Sequence, residues 1–311
     1  MSYIINTQKN GENYNYFVKK FSFMGKTYSI NHYIGKKPFV SKDAYLLDNL
    51  DKITNREFEL KSKHFPQDLV YNNELINQVE YLSIKLNNLI ESKKQKEFVE
   101  VKLLKEFVFN SNNIEGSRLP RAEIEKIFDD KKLDYNNKNE ILEVKNSINA
   151  YKYLNNDFSF SIRGIKKLYK ILTCGLVMET GDLYPKSFRK DKIIVGNENT
   201  LDPDQIKFEL NNLLGWYKKN KKIYPLKLAF DFHLRYEMIH PFRDGNGRTG
   251  RLLMNKILAK NNYPLMVIFK DNKQAYFNSI KQGKDGKSKK YYQFMLEQQK
   301  KSYELIRQFL V

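Results

Sequence analysis

The chain has 311 residues, enough for one large domain or two modest ones when a typical domain holds about 100–200. Hydrophobic residues make up 41% and charged residues 29%. That is a globular balance, and no apolar run approaches the ~18 residues of a spanning helix, so neither a disulfide-stapled miniprotein nor a membrane-spanning helical protein is expected. Lys and Arg number 55 against 36 acids, a formal charge of +19 that favours anionic partners. The basic residues are spread along the chain without a helix-turn-helix signature, so nucleic acid is not the expected one.

Residues 14–34 alternate polar and aromatic positions around Met24-Gly25-Lys26 and predict a short β-hairpin. From about Asp43 the period becomes helical: Leu46, Leu47, Leu50 and Ile53, then Leu75, Ile76, Val79, Leu82, Leu86, Leu89 and Ile90. A third helix from about Phe98 should end near Gly116, a residue suited to a helix C′ position. Further helical patterns cover about 121–130, 138–154, 161–177, 204–218, 226–239, 248–261, 272–282 and 287–309. Between Gly181 and Thr200 the pattern fails, and the β-branched run Ile193-Ile194-Val195 followed by Gly196 reads as a short hairpin in a loop. Cys174, the one cysteine, is expected in the core. It cannot form an intramolecular disulfide, and residues 1–6 have neither a basic nor an apolar segment, so a reducing cytoplasm is expected.

The informative segment is His240-Pro-Phe-Arg-Asp-Gly-Asn-Gly-Arg-Thr-Gly-Arg251. Pro241 stops the preceding helix, Gly245 and Gly247 permit a tight turn with inward N–H groups, and the chain re-enters a helix around Arg248. Such a loop presents free amides and a positive dipole end to phosphate. Arg248 and Arg251 lie one helical turn apart and can grip different phosphates. Asp244, the carboxylate inside the loop, suits Mg²⁺, and His240 can take a proton from a hydroxyl. Together these parts describe phosphoryl or nucleotidyl transfer. No Walker-type Gly-x-x-x-x-Gly-Lys-Ser/Thr occurs, and His32, His64 and His233 show no metal-ligand spacing.

This segment resembles the full signature of the Fic family, His-Pro-Phe-x-(Asp/Glu)-Gly-Asn-Gly-Arg-x-x-Arg. Residues 229–239, 252–255 and 262–264 resemble the helices and turn that flank it, and Phe188-Arg189 with Ile193, Ile194, Val195 and Gly196 resembles the flap that aligns the target segment. Some 125 residues earlier, Ser111-Asn112-Asn113-Ile114-Glu115-Gly116 is similar to the family's inhibitory motif, Ser/Thr-x-x-x-Glu-Gly/Asn.

The resemblance implies a mostly α fold, a Fic-type helical bundle with a β-hairpin flap and a small N-terminal β element. It implies an accessory region over 1–100 and a helical Fic unit over 101–311, with the inhibitory helix at about 101–116 and the motif-bearing core at about 160–300. It further implies a protein adenylyltransferase that moves AMP from ATP, with Mg²⁺, to a Ser, Thr or Tyr hydroxyl of a target protein, with self-modification and oligomerisation left open. In that scheme His240 is the base and Asp244 holds the metal. Gly245, Asn246, Gly247, Arg248, Thr249, Gly250 and Arg251 hold the phosphates, Arg248 near the β- and Arg251 near the γ-phosphate. Tyr276 and Phe277 lie on the adenine side, and Glu115, with Ser111, restrains Arg251. Where relatives often carry Tyr-Tyr and an adenine-side Asn, this chain has Tyr276-Phe277 and Lys284, which bears on base preference. Removal of AMP by the same site, and a basic nucleic-acid-binding or interaction protein without turnover, are the alternatives.

Overall fold

The computed structural model describes residues 2–36, 41–178, 180–195 and 198–310. The chain opens as an antiparallel sheet of β1 (Ser2–Lys9), β2 (Glu12–Phe23) and β3 (Lys26–Gly35), in sequence order. Asn10 and Gly11 have φ of 53° and 75°, and Met24 and Gly25 have 50° and 76°, the paired positive values that let a two-residue turn match strand twist. The alternation over residues 14–34 predicts one hairpin here. β1 is the added strand, and the Asn10-Gly11 dipeptide is its local signal. Phe17 of β2 forms a small core with Leu46 and Ile53. Phe23 lies with its ring centroid 6.2 Å from that of Phe65 and 6.4 Å from that of Tyr224, and so joins the main core.

Helices follow: α1 (Lys42–Asp48), α2 (Leu50–Ser62), α3 (Asn73–Ser92), α4 (Lys96–Ile114), α5 (Arg121–Phe128), α6 (Lys138–Asn156) and α7 (Ile162–Leu172). A hairpin of β4 (Ile194–Val195) and β5 (Glu198–Asn199) then precedes α8 (Ile206–Lys219), α9 (Pro225–Ile239), α10 (Asn246–Lys260), α11 (Lys273–Lys284) and α12 (Ser288–Leu310). Among the described residues, four helix starts carry a side-chain cap. Ser41, Asn72, Asn137 and Ser161 accept from first-turn amides, and Pro225 takes the first position of α9, where its missing N–H costs nothing.

Three boundaries depart from expectation. Asn49, whose Nδ2 donates to Tyr45 O at 3.0 Å, separates α1 from α2. α7 ends at Leu172 rather than near 177, so Cys174 is exposed and not in the core. α10 begins at Asn246, two residues before the expected re-entry.

Helix α9 packs on α10 and α8, α10 also meets α7, α6 and α4, and α12 closes the bundle against α3, α11 and α9. Phe230 and Phe232 of α9 and Leu253, Met254 and Ile257 of α10 are fully buried. Burial of such side chains stabilises by about 1.5–3 kcal/mol each, so the α9–α10 pair is a firm base for the loop between them.

Candidate active site

The loop is shaped by its own residues. His240 ends α9 in the left-handed region, φ 46° and ψ 62°, with its N–H bonded to Tyr236 O at 3.0 Å. Phe242 stacks on Tyr169 with centroids 3.6 Å apart and planes within 4°. Asn246 closes the turn from the other side: its Oδ1 accepts from Phe242 N at 2.9 Å and its Nδ2 donates to Phe242 O at 2.7 Å. Gly245, φ 75°, is the cap residue of α10, a conformation that favours glycine. Thr249 sends its hydroxyl back to Gly245 O at 2.9 Å. The first-turn amides of α10, which have no intrahelical acceptors, therefore face the inside of the loop.

Arg189, 5% exposed, is a contributor that sequence reasoning noted only as part of the flap resemblance. Its Nε donates to His240 O at 2.8 Å, Nη1 to Asp191 O at 2.9 Å and Nη2 to Leu201 O at 2.5 Å, while its N–H reaches Pro241 O at 3.0 Å. One buried guanidinium thus ties the base of the β4–β5 hairpin to the histidine loop. In the hairpin, Ile193 O accepts from Thr200 N at 3.1 Å and the Ile194 side chain is 71% exposed. Val195 pairs with Glu198 in the strand ladder, and Gly196 lies outside the described residues.

Glu115 is the C-cap of α4, with Gly116 beyond it at φ 112°. Its Oε1 accepts from Arg251 Nη2 at 2.6 Å, and Arg251 also donates from Nε to Ser111 Oγ at 3.0 Å and from Nη2 to Ser111 O at 2.9 Å. Ser111 and Glu115 are four apart, on one helix face, and together they engage a guanidinium that is 1% exposed. A Cβ added at Gly247 would meet Glu115 Oε1 closer than real Cβ atoms approach, and Arg251 Nη1 at 2.9 Å. The carboxylate therefore sits directly over the first turn of α10. Arg248, 3% exposed, donates from Nη1 to Glu143 Oε1 of α6 at 2.8 Å, a partner the sequence did not suggest.

Asp244 Oδ1 accepts from Gly245 N, and its Oδ2 accepts from Tyr184 Oη at 2.6 Å. Among the described residues no group of three or more His, Cys, Asp or Glu could hold a metal ion. A single carboxylate nevertheless fits Mg²⁺, which is commonly held by one or two carboxylates together with substrate phosphates and water. Tyr276 is 1% exposed and Phe277 41%, with centroids 5.5 Å apart. Tyr276 Oη lies 2.9 Å from His233 Nε2, and His233 Nδ1 lies 2.8 Å from Tyr291 Oη, so His233 is a buried structural residue. A Cβ at Gly250 would meet Glu237 Oε1 at 2.6 Å and Tyr236 Cδ1 at 3.1 Å, so a side chain there would displace that carboxylate.

Burial lowers the His240 pKa to about 4, with nearby Lys284 and Arg189 adding to the effect, so its ring is neutral at physiological pH. Burial also lowers His233 to about 3 and raises Glu237 to about 7. Glu237 Oε2 lies 3.8 Å from His240 Nδ1. These shifts predict an acid response. From pH 6.5 down to 4.5 the unfolded chain takes up protons at both histidines that the folded protein refuses, while the folded protein holds one more at Glu237. The two histidines outweigh the one carboxyl, so stability is lost as pH falls through this window. Glu237→Gln removes the opposing contribution and is expected to steepen the slope, as measured by urea denaturation between pH 4.5 and 6.5. An unchanged slope would contradict the buried placement of Glu237.

Residues 159–258 match the family described as Fic/DOC. The chain carries a Fic/DOC family domain. It is 27% identical over 205 residues to the protein adenylyltransferase Fic of Aedes aegypti, covering 61% of this chain and 39% of that protein. With the Drosophila melanogaster protein of the same name it shares 26% identity over 211 residues, 64% of this chain and 41% of that one. The match thus spans about two fifths of the length of these curated relatives. Among solved structures, a Fic family protein from Desulfovibrio desulfuricans G20 superposes with a TM-score of 0.65 at 22% identity, over 76% of this chain and 74% of that one. Fic-1 from C. elegans does so at 0.63 and 20%, over 86% and 81%. The fold is therefore the Fic helical bundle, with a small N-terminal sheet in this chain.

Proposed function

We propose that this protein transfers AMP from ATP to a hydroxyl of a protein segment, and that Glu115 restrains the reaction. The observation that carries the reading is the convergence, at the N-terminus of α10, of a neutral histidine, first-turn amides and two buried arginines. The target hydroxyl gives its proton to His240, its oxygen bonds to the α-phosphorus, and the bond to the β-phosphate oxygen breaks to release pyrophosphate. Arg248 and Arg251 stabilise charge on the leaving phosphates, and the α10 amides cradle the α-phosphate. Asp244 is the residue suited to Mg²⁺, whose chemistry would be to neutralise phosphate charge. Phe277 and Lys284 flank the side assigned to the base. The β4–β5 hairpin, whose Ile194 is exposed and whose base is tied to His240 through Arg189, is the element that would register an extended target segment by strand pairing.

The deciding experiment incubates the Glu115→Gly protein with Mg·ATP, alone and with cell lysate, and reads AMP adducts by mass spectrometry. Adducts are expected with Glu115→Gly and not when His240→Ala is added. No adduct on any protein would remove the reading.

A further inference from the structure

The two cradle arginines are held differently. Glu115 reaches Arg251 from the space above Gly247, where the nearest atoms belong to Glu115 and Arg251 and none to Glu143. Glu143 instead meets Arg248 from α6. Arg248 is buried, it gives Glu143 one Nη1 hydrogen bond, and its Nε is buried without a partner. A buried guanidinium without a counter-ion is costly, and one that is anchored at a single nitrogen keeps donors for an incoming anion.

Helix α6 supplies the anchor in a defined register. Glu140, Glu143 and Ser147 follow i, i+3, i+7 spacing and share a face. Glu140 Oε2 accepts from Arg118 N at 2.9 Å and Ser117 Oγ at 3.2 Å, just past Glu115, and Ser147 Oγ lies 3.3 Å from Asn112 Oδ1 in α4. One rigid face therefore fixes both the end of α4 and the guanidinium of Arg248.

We infer that Glu143 is a positioning residue that aims Arg248 at the second phosphate of a bound nucleotide, rather than a second inhibitory carboxylate. This rests on the nucleotide reading of the site. Preorganised donors act most strongly where charge gathers, so Glu143 matters for nucleotides with a β-phosphate and not for AMP.

The test measures dissociation constants of AMP, ADP and ATP, with Mg²⁺, by calorimetry in the Glu115→Gly protein and in the same protein with Glu143→Ala or Glu143→Gln. With Glu143→Ala, ADP and ATP are expected to bind about tenfold more weakly or worse, as loss of a charge-assisted bond implies, while AMP is unchanged. Glu143→Gln, whose amide oxygen still accepts from Nη1, recovers most of the loss. Should Glu143→Ala not fold, the isosteric Gln series decides alone, with a few-fold loss for ADP and ATP and none for AMP. Tighter ADP and ATP binding in either variant would make Glu143 a competitor of phosphate and overturn the inference. Equal weakening of all three nucleotides would reduce it to a structural residue and overturn it equally. Failure of the Glu115→Gly protein itself to bind any of the three would remove the nucleotide reading, and this inference with it.

Discussion

Glu115→Gly is expected to raise the initial rate of AMP transfer about ten- to hundredfold, measured with α-labelled ATP on the protein itself or on a target. The range follows from the contact removed, since a hydrogen bond to a charged group contributes about 1.5–3 kcal/mol and the nucleotide must displace it. The Arg251–Glu115 bond at 2.6 Å is buried on the arginine side, where screening is weak. Release carries a cost in stability. Arg251 keeps its bonds to Ser111 Oγ and O but loses its counter-ion, so a lower melting temperature is expected. Glu115→Gln, which keeps the shape and removes the charge, should give an intermediate rate. Adding His240→Ala to Glu115→Gly is expected to lower the rate by about 10²–10⁴-fold, the usual range for a general base. A rate indifferent to His240 would place the proton acceptor elsewhere.

What the sequence disclosed depended on whether a structural demand was local. Within the turn from His240 into α10, Gly245, Asn246 and Thr249 make bonds spanning four residues or fewer, so that part of its composition announces its shape. The Ser111 and Glu115 spacing likewise states that both lie on one helix face. The remaining contacts have no such signature. Glu143 meets Arg248 across 105 positions, Tyr184 meets Asp244 across 60, and Arg189 meets His240 across 51. In each pair one partner is an ordinary helix or loop residue until tertiary packing delivers it. The exposed Cys174 and the split at Asn49 are smaller cases of the same kind. There the helix ends where apolar periodicity alone would have continued it, and a side chain at that end bonds its own backbone. β1 differs, because its Asn-Gly turn was legible while its largely exposed face offers little alternation to read.

Gly247→Ala separates the seat of the inhibitor from the seat of the substrate. The backbone tolerates the change, since Gly247 is helical and alanine favours a helix by about 1 kcal/mol over glycine. Its methyl group would overlap Glu115 Oε1 and crowd Arg251 Nη1, so the carboxylate must move. If only Glu115 used that space, Gly247→Ala would activate the protein as Glu115→Gly does. On the present reading the same volume, above the first-turn amides of α10, also receives the phosphates. Gly247→Ala is therefore expected to reduce AMP transfer at least about 100-fold even in the Glu115→Gly background, because the methyl group excludes the phosphates from the amides that would stabilise them. ATP affinity should fall with it, while far-UV circular dichroism stays unchanged. Activation of the otherwise wild-type protein by Gly247→Ala would show that the phosphates approach Arg251 by another route, and that the overlap of inhibitor and substrate at Gly247 is not the basis of restraint.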